Sequence, residues 1–194
     1  MSVVTRTVSL ATLWLISSSA IVACAQQGND STQSLAAQQG DPARPRADLA
    51  VNGRYPCTIT HVADGDSVTC KPLGRVRLLL IDAPELSDGE LGRQARAKLL
   101  EMMPLGTEVV AETDVRARDQ FGRVLAYLYL PDGEMVNERM AESGYATTLV
   151  YPPNVKNVER IRSAVARARS AKRGLWASGG FDCAPRDYRA GRCR

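Results

Sequence analysis

The spacing of apolar residues along this chain changes several times, and each change predicts an element. Arg54 to Val62 and Asp66 to Cys70 alternate loosely between apolar and polar positions and straddle Ala63-Asp64-Gly65, the pattern of a hairpin. Arg75 to Ile81 predicts a third strand, apolar enough to be largely buried. From Glu90 to Met103 the period becomes helical, with Leu91, Ala95, Leu99 and Met102 or Met103 on one side, until Pro104 and Gly106 stop it. Glu108 to Glu112 and Arg123 to Leu130 predict two more strands, and Met135 to Ser143 a short helix capped by Gly144. A last helix is expected after Pro152-Pro153-Asn154, with Asn154 as its N-cap. It presents Val158, Ile161, Val165 and Ala168 on one face and ends at Gly174. Five strands, a helix between the third and fourth, and two trailing helices predict an α+β, mainly β fold: a five-stranded barrel of the OB type with three packed helices.

The first fifty residues follow other rules. Residues 1–23 carry one early charge, Arg6, before an apolar stretch softened by Ser and Thr, which predicts a cleaved export signal. It ends in Ile21-Val22-Ala23-Cys24, which resembles a bacterial lipobox and predicts a lipid on Cys24; an ordinary signal with an incidental Cys is the alternative. Residues 24–50 hold almost nothing that could be buried and predict a flexible tether, with a coil reach of roughly 28 Å. The expected organisation is therefore signal (1–23), lipid attachment and tether (24–50), globular domain (51–178) and a cysteine-containing extension (179–194). The location that follows is the cell envelope, by a membrane anchor, or otherwise secretion.

Four further cysteines, Cys57, Cys70, Cys183 and Cys193, suit an exported chain with two disulfides, and proximity in sequence favours Cys57–Cys70 and Cys183–Cys193. Zinc held by four thiolates is disfavoured, because no C-x2-C spacing occurs. The formal charge is +4, and the first fifty residues contribute three Arg and three Asp, so the excess belongs to the globular part. Seven basic residues between Asn154 and Arg173 (Lys156, Arg160, Arg162, Arg167, Arg169, Lys172 and Arg173) form a face that attracts a polyanion or is simply solvated.

Certain polar residues sit where structure alone gives them little reason to be. Asp66 at the hairpin exit and Asp82 at the end of the third strand converge if those strands are neighbours. They would supply oxygen to a hard cation, with the Ala83 carbonyl as a neutral ligand. Asp64-Gly65-Asp66 taken alone is more often a plain turn. Glu85, just past Pro84, can reach a water near such an ion and serve as general base, or be merely a solvated loop acid. Arg77, among Val76, Leu78, Leu79 and Leu80, pays for desolvation unless it meets an anion, either a phosphate or those same carboxylates. Arg123 opens a later strand and, paired with Arg77, grips a phosphoryl group. His61, the sole histidine, lies on a strand and is read as structural.

Asp64-Gly65-Asp66-Ser67-Val68, Arg77 to Glu85, Asp119 to Tyr127 and Met135-Val136-Asn137-Glu138 together resemble the staphylococcal nuclease (thermonuclease) family, in order, from about Tyr55 to Trp176. The resemblance implies an OB barrel with three helices and a calcium-dependent hydrolase of DNA and RNA, cutting phosphodiesters to leave 3′-phosphate ends. It places Ca2+ on Asp66, Asp82 and the Ala83 carbonyl, the base at Glu85, and the phosphate-binding pair at Arg77 and Arg123. Ala83 stands where well-studied members have Thr. Gln120 and Phe121 replace a Lys-Tyr pair that holds the substrate's end phosphate, and Tyr151 is the candidate for a tyrosine lining the nucleotide pocket. The expected partners are nucleic acid and, through Cys24, a membrane; no protein partner is expected, and the chain is expected to be a monomer. Two other classes compete. A non-catalytic OB module binding nucleic acid or protein would not need all of Asp66, Asp82, Glu85, Arg77 and Arg123. A structural lipoprotein stabilised by calcium would not explain the arginines.

Overall fold

The structure, a computed structural model, describes residues 49–193. The predicted signal, Cys24 and nearly all of the tether lie outside the described residues. Seven strands and four helices follow one another: β1 (Arg54–Val62), β2 (Ser67–Lys71), β3 (Gly74–Leu78), β4 (Ile81–Asp82), α1 (Glu90–Met102), β5 (Glu108–Arg118), β6 (Val124–Tyr129), α2 (Val136–Glu142), β7 (Thr147–Thr148), α3 (Val158–Ser170) and α4 (Pro185–Arg189). Five of the strands close a barrel in the order β1-β2-β3-β6-β5, and β4 pairs with β7 in a separate two-stranded ribbon. All barrel pairings are antiparallel except β3 with β6. The predicted five-stranded OB-type barrel with packed helices is thus present.

The hairpin forms where the pattern placed it. The Asp66 N–H donates to Asp64 Oδ1 at 2.9 Å, an Asx turn that closes the loop. Strand β1 buries Cys57, Ile59 and Val62. The step of three between the last two breaks alternation because the register shifts between Ile59 and His61, as a bulge inserts one residue. Cys57 and Cys70 are joined across this hairpin, and Cys183 joins Cys193, as expected from proximity. His61 lies on the exposed side of β1, opposite Thr69.

Three details differ from the sequence expectation. The run predicted as one strand to Ile81 breaks after Leu78, with Leu80 in the left-handed region at φ 64°. That kink turns the chain out of the barrel, so Ile81 and Asp82 pair instead with Thr148 and Thr147. Strand β5 continues to Arg118 rather than ending at Glu112, and it buries Glu112, Thr113 and Asp114. These polar residues are each partnered: Glu112 by Arg54 and Lys156, Asp114 by the Tyr127 hydroxyl, and Thr113 by the Ala50 carbonyl. The continuation beyond Glu112 was hidden because its buried residues are hydrogen-bonded rather than apolar. Asn154 does not cap α3, whose N-cap is Asn157. Its buried side chain spans to β5 instead, accepting from the Arg116 N–H at 2.7 Å and donating to the Arg116 carbonyl at 2.9 Å.

The core joins barrel and helices through Leu78, Ile81, Leu99, Leu128, Met140 and Ile161, all essentially inaccessible. One buried polar residue ties the layers together near the kink. Asn137 on α2 accepts from the Leu128 N–H at 3.0 Å and donates to the Leu79 carbonyl at 2.9 Å. It thereby holds the kinked segment against β6 and satisfies backbone groups that the broken strand leaves over. The basic stretch on α3 is largely neutralised: Arg160 and Arg167 pair with Glu138, Arg167 and Arg173 with Glu142, and Arg162 with Glu159. Much of that charge is thus engaged in exposed ion pairs along the helix face. Among the described residues no helix is long and apolar enough to cross a membrane.

Candidate active site

The kink after β3 and the hairpin exit bring the predicted carboxylates together. Arg77 on β3 pairs through Nη2 with Asp66 Oδ2 at 3.0 Å, and the same nitrogen lies 3.6 Å from Asp82 Oδ1. Both acids are deeply buried, Asp66 at 6% and Asp82 at 1% exposure. Asp66 Oδ2 also accepts from the Ala83 N–H at 2.9 Å, which fixes the backbone of the residue expected to lend a carbonyl. Asp66 Oδ1 accepts from the Ser67 hydroxyl at 2.9 Å. Arg77 therefore meets the carboxylates themselves, and its Nη1 donates to the Leu78 carbonyl at 2.5 Å.

Two glycines set how closely these parts approach. A Cβ on Gly65 would lie 2.6 Å from the Ala83 Cβ and 2.8 Å from that of Ala95, so the hairpin turn packs directly on the acidic loop and on α1. A Cβ on Gly92 would sit 1.8 Å from the Glu85 carbonyl oxygen, so only glycine lets α1 support the Glu85 loop at this distance. The Glu85 N–H is held by Asp88 Oδ2 at 2.8 Å, while its side chain is 49% exposed.

Burial dominates the electrostatics. It pushes the Asp82 carboxyl above its ordinary range, against the lowering pull of a hydrogen bond and charge from Arg189. The Asp64 carboxyl is pushed up to about 6, first by burial and then by the Asp66 charge beside it. A concentration of acid groups that resists ionisation is what a bound cation would relieve. The donor set fits a hard cation: the ligating atoms on offer are oxygens, and the four cysteines of the domain are tied up in disulfides. Two carboxylates converge rather than three; among the described residues no cluster of three or more His, Cys, Asp or Glu side chains is placed to hold a metal. Carbonyl and water oxygens would have to complete the shell.

Beside the carboxylates lies a cavity of about 430 Å³. Arg77 and Arg123 both line it, together with Gln120, Phe121 and Tyr151, so five residues singled out in the sequence meet in one place. Arg123 is held by Asp119, which accepts from its Nε at 2.7 Å and from its N–H at 2.9 Å, and its guanidinium stacks 5.6 Å from the Phe121 ring. Phe121 and Tyr151 are both more than 60% exposed on the rim, each with an arginine, Arg123 and Arg186, over its ring. Arg116, absent from the sequence prediction, adds a third guanidinium to the lining.

A larger omission is the C-terminal segment. Helix α4 lies on the acidic loop: the Arg186 N–H donates to Asp82 Oδ2 at 2.9 Å, and Arg189 Nη2 to Asp82 Oδ1 at 2.6 Å. Arg189 Nε is also 3.4 Å from Glu85 Oε1. The signal in the chain was three arginines at three-residue spacing, Arg186, Arg189 and Arg192, between two cysteines, which points to no particular target.

Comparison with known proteins places this geometry. The family model described as Staphylococcal nuclease homologue matches residues 75–178, from β3 to the turn after α3. The chain belongs to this family. Its relatives include a Thermonuclease of Staphylococcus hyicus, 31% identical over 62% of this chain and 75% of that protein. SPbeta prophage-derived endonuclease YokF of Bacillus subtilis is 31% identical over 64% of this chain and 45% of its own length. Endonuclease YhcR of the same organism is 28% identical over 70% of this chain, but over only 12% of its own length. The chain thus spans less than two thirds of these Bacillus relatives.

Proposed function

We propose that this protein is a calcium-dependent nuclease that hydrolyses phosphodiester bonds of DNA and RNA and leaves 3′-phosphate ends. Family membership supports nucleic acid as substrate, as do the names of the thermonuclease and endonuclease relatives. The observation that carries the reading is the double role of Arg77, which touches both buried carboxylates and lines the same cavity as Arg123. A scissile phosphate in that cavity meets two guanidiniums, and Arg77 links it to the carboxylates, which lie next to the cavity rather than in its lining.

The chain's groups divide the work. Asp66, Asp82 and the Ala83 carbonyl would hold the calcium, which when bound supplies a Lewis acid for a phosphoryl oxygen. Glu85 takes a proton from the attacking water as the O–P bond forms. Arg77 and Arg123 stabilise the charge that grows on the equatorial oxygens, and the bond from phosphorus to the 5′ oxygen breaks as that oxygen takes up a proton from solvent water to leave as a hydroxyl. Phe121 and Tyr151 offer their rings to the flanking bases, where stacking is worth about 1–3 kcal/mol per base. Gln120 contributes an amide where an end phosphate would otherwise meet a cation.

The test is metal dependence with analysis of the product ends. The full-length protein is expected to degrade single-stranded DNA and RNA with added calcium, to stop with chelator, and to yield 3′-phosphates. Activity that persists unchanged in chelator would refute the cation's role, and 5′-phosphate products would refute the polarity of attack.

Tethering at the cell envelope, as a monomer held by a lipid on Cys24, is proposed from the sequence signal alone. Mass spectrometry of the mature protein is expected to find Cys24 as an acylated N-terminus. An unmodified chain starting at or beyond residue 25 would remove the anchor.

A further inference from the structure

We infer that the disulfide-closed C-terminal loop is an internal competitor for the cation, with Arg189 as the residue that sets cation affinity. This rests on the reading of Asp66 and Asp82 as calcium ligands. Both oxygens of Asp82 are already engaged by that loop: Arg189 Nη2 sits 2.6 Å from Oδ1, and the Arg186 N–H 2.9 Å from Oδ2. Glu85, the proposed base, is drawn into the same contact through Arg189 Nε at 3.4 Å. A calcium ligand bond of about 2.3–2.6 Å needs the space in front of such an oxygen. A guanidinium at hydrogen-bond distance from the same atom would leave two positive charges side by side, with Arg77 as a third.

The loop is built to hold this position. Cys183 and Cys193 close it, and the Arg186 guanidinium lies 5.8 Å from the Tyr151 ring on the cavity rim. The segment therefore reaches from the carboxylates to the edge of the substrate cavity. It holds Asp82 neutralised without calcium, and the ion binds as Arg189 leaves. Coupling of this kind is reciprocal: whatever Arg189 takes from calcium affinity, calcium takes from the docking of the loop.

Calcium titration by calorimetry on the full-length oxidised protein tests the idea without reference to turnover. Arg189→Gln is expected to tighten calcium binding roughly 5–150-fold, the usual span of such couplings. The Cys183→Ser/Cys193→Ser double variant should tighten it in the same direction, by releasing the loop with every charge retained. Arg192→Gln, which removes one charge from the same loop but pairs only with Asp187, should leave affinity within about twofold. Hydrogen exchange gives the reciprocal readout: the Arg186 amide should lose protection when calcium is added to the parent protein. Equal affinity in parent and Arg189→Gln, or equal tightening by Arg192→Gln, would overturn the inference while leaving calcium dependence intact. Absence of calcium binding from the parent and all variants would overturn both readings together.

Discussion

Replacing Arg77 with Met is expected to cost the fold about 3–5 kcal/mol and to lower cleavage by a further 10²–10³-fold per folded molecule. The two effects share one cause. Arg77 is only 15% exposed and is the ion-pair partner of buried Asp66, so its removal strands that carboxylate, while Asp82 keeps Arg189. It also lines the cavity where the phosphate would sit, so the transition state loses a donor aimed at developing charge. Urea denaturation measures the first effect, and single-turnover cleavage at saturating calcium measures the second. Calcium should restore part of the lost stability, because it neutralises the same carboxylates. Arg77→Lys separates the roles: it keeps the charge and much of the stability, but loses the fork that serves carboxylate and phosphate at once. A Met variant as stable and as active as the parent would remove Arg77 from both assignments.

Glu85→Gln is expected to behave in the opposite way, with a rate loss of about 10²–10⁴-fold and an unchanged denaturation midpoint. The side chain is half-exposed, and the loop is positioned by its backbone, through Asp88 on one side and Gly92 on the other. An amide of the same shape therefore keeps the fold and the substrate contacts but cannot take a proton. Nucleic-acid binding, read by fluorescence anisotropy with calcium present, should survive within a few fold. Turnover that survives the change would reassign the base; binding lost along with turnover would make Glu85 a positioning group instead.

The contrast between these two residues shows which features of the site could be read before the fold was known. Arg77 was legible because a guanidinium inside an apolar strand must find an anion, whatever the tertiary arrangement. The sequence left open whether that anion was a phosphate or the neighbouring acids, and the structure shows the acids. Glu85 carries no such local signature, since an acid after a proline is ordinary in a loop. Its place rests on the family resemblance, and the close approach of Gly92 to its carbonyl could not be inferred from spacing.

Local chemistry in the chain was enough to specify the hairpin, the barrel strands, the helical periods and the pairing of the cysteines. Apolar periodicity and short-range turn residues act over a few positions and are visible in a linear text. The second half of strand β5 escaped because its buried polar residues are satisfied by partners up to 63 residues away, such as Ala50 for Thr113. The kink at Leu80 escaped because its left-handed backbone is held from outside, by Asn137 on the carbonyl just before it and by the pairing of β4 with β7. The grip of Arg189 on Asp82 joins residues 107 apart, and no periodicity or charge pattern carries information over that span. Residues decide what a segment can do; which carboxylate a distant arginine reaches depends on chain closure, and that exists only once the barrel has formed.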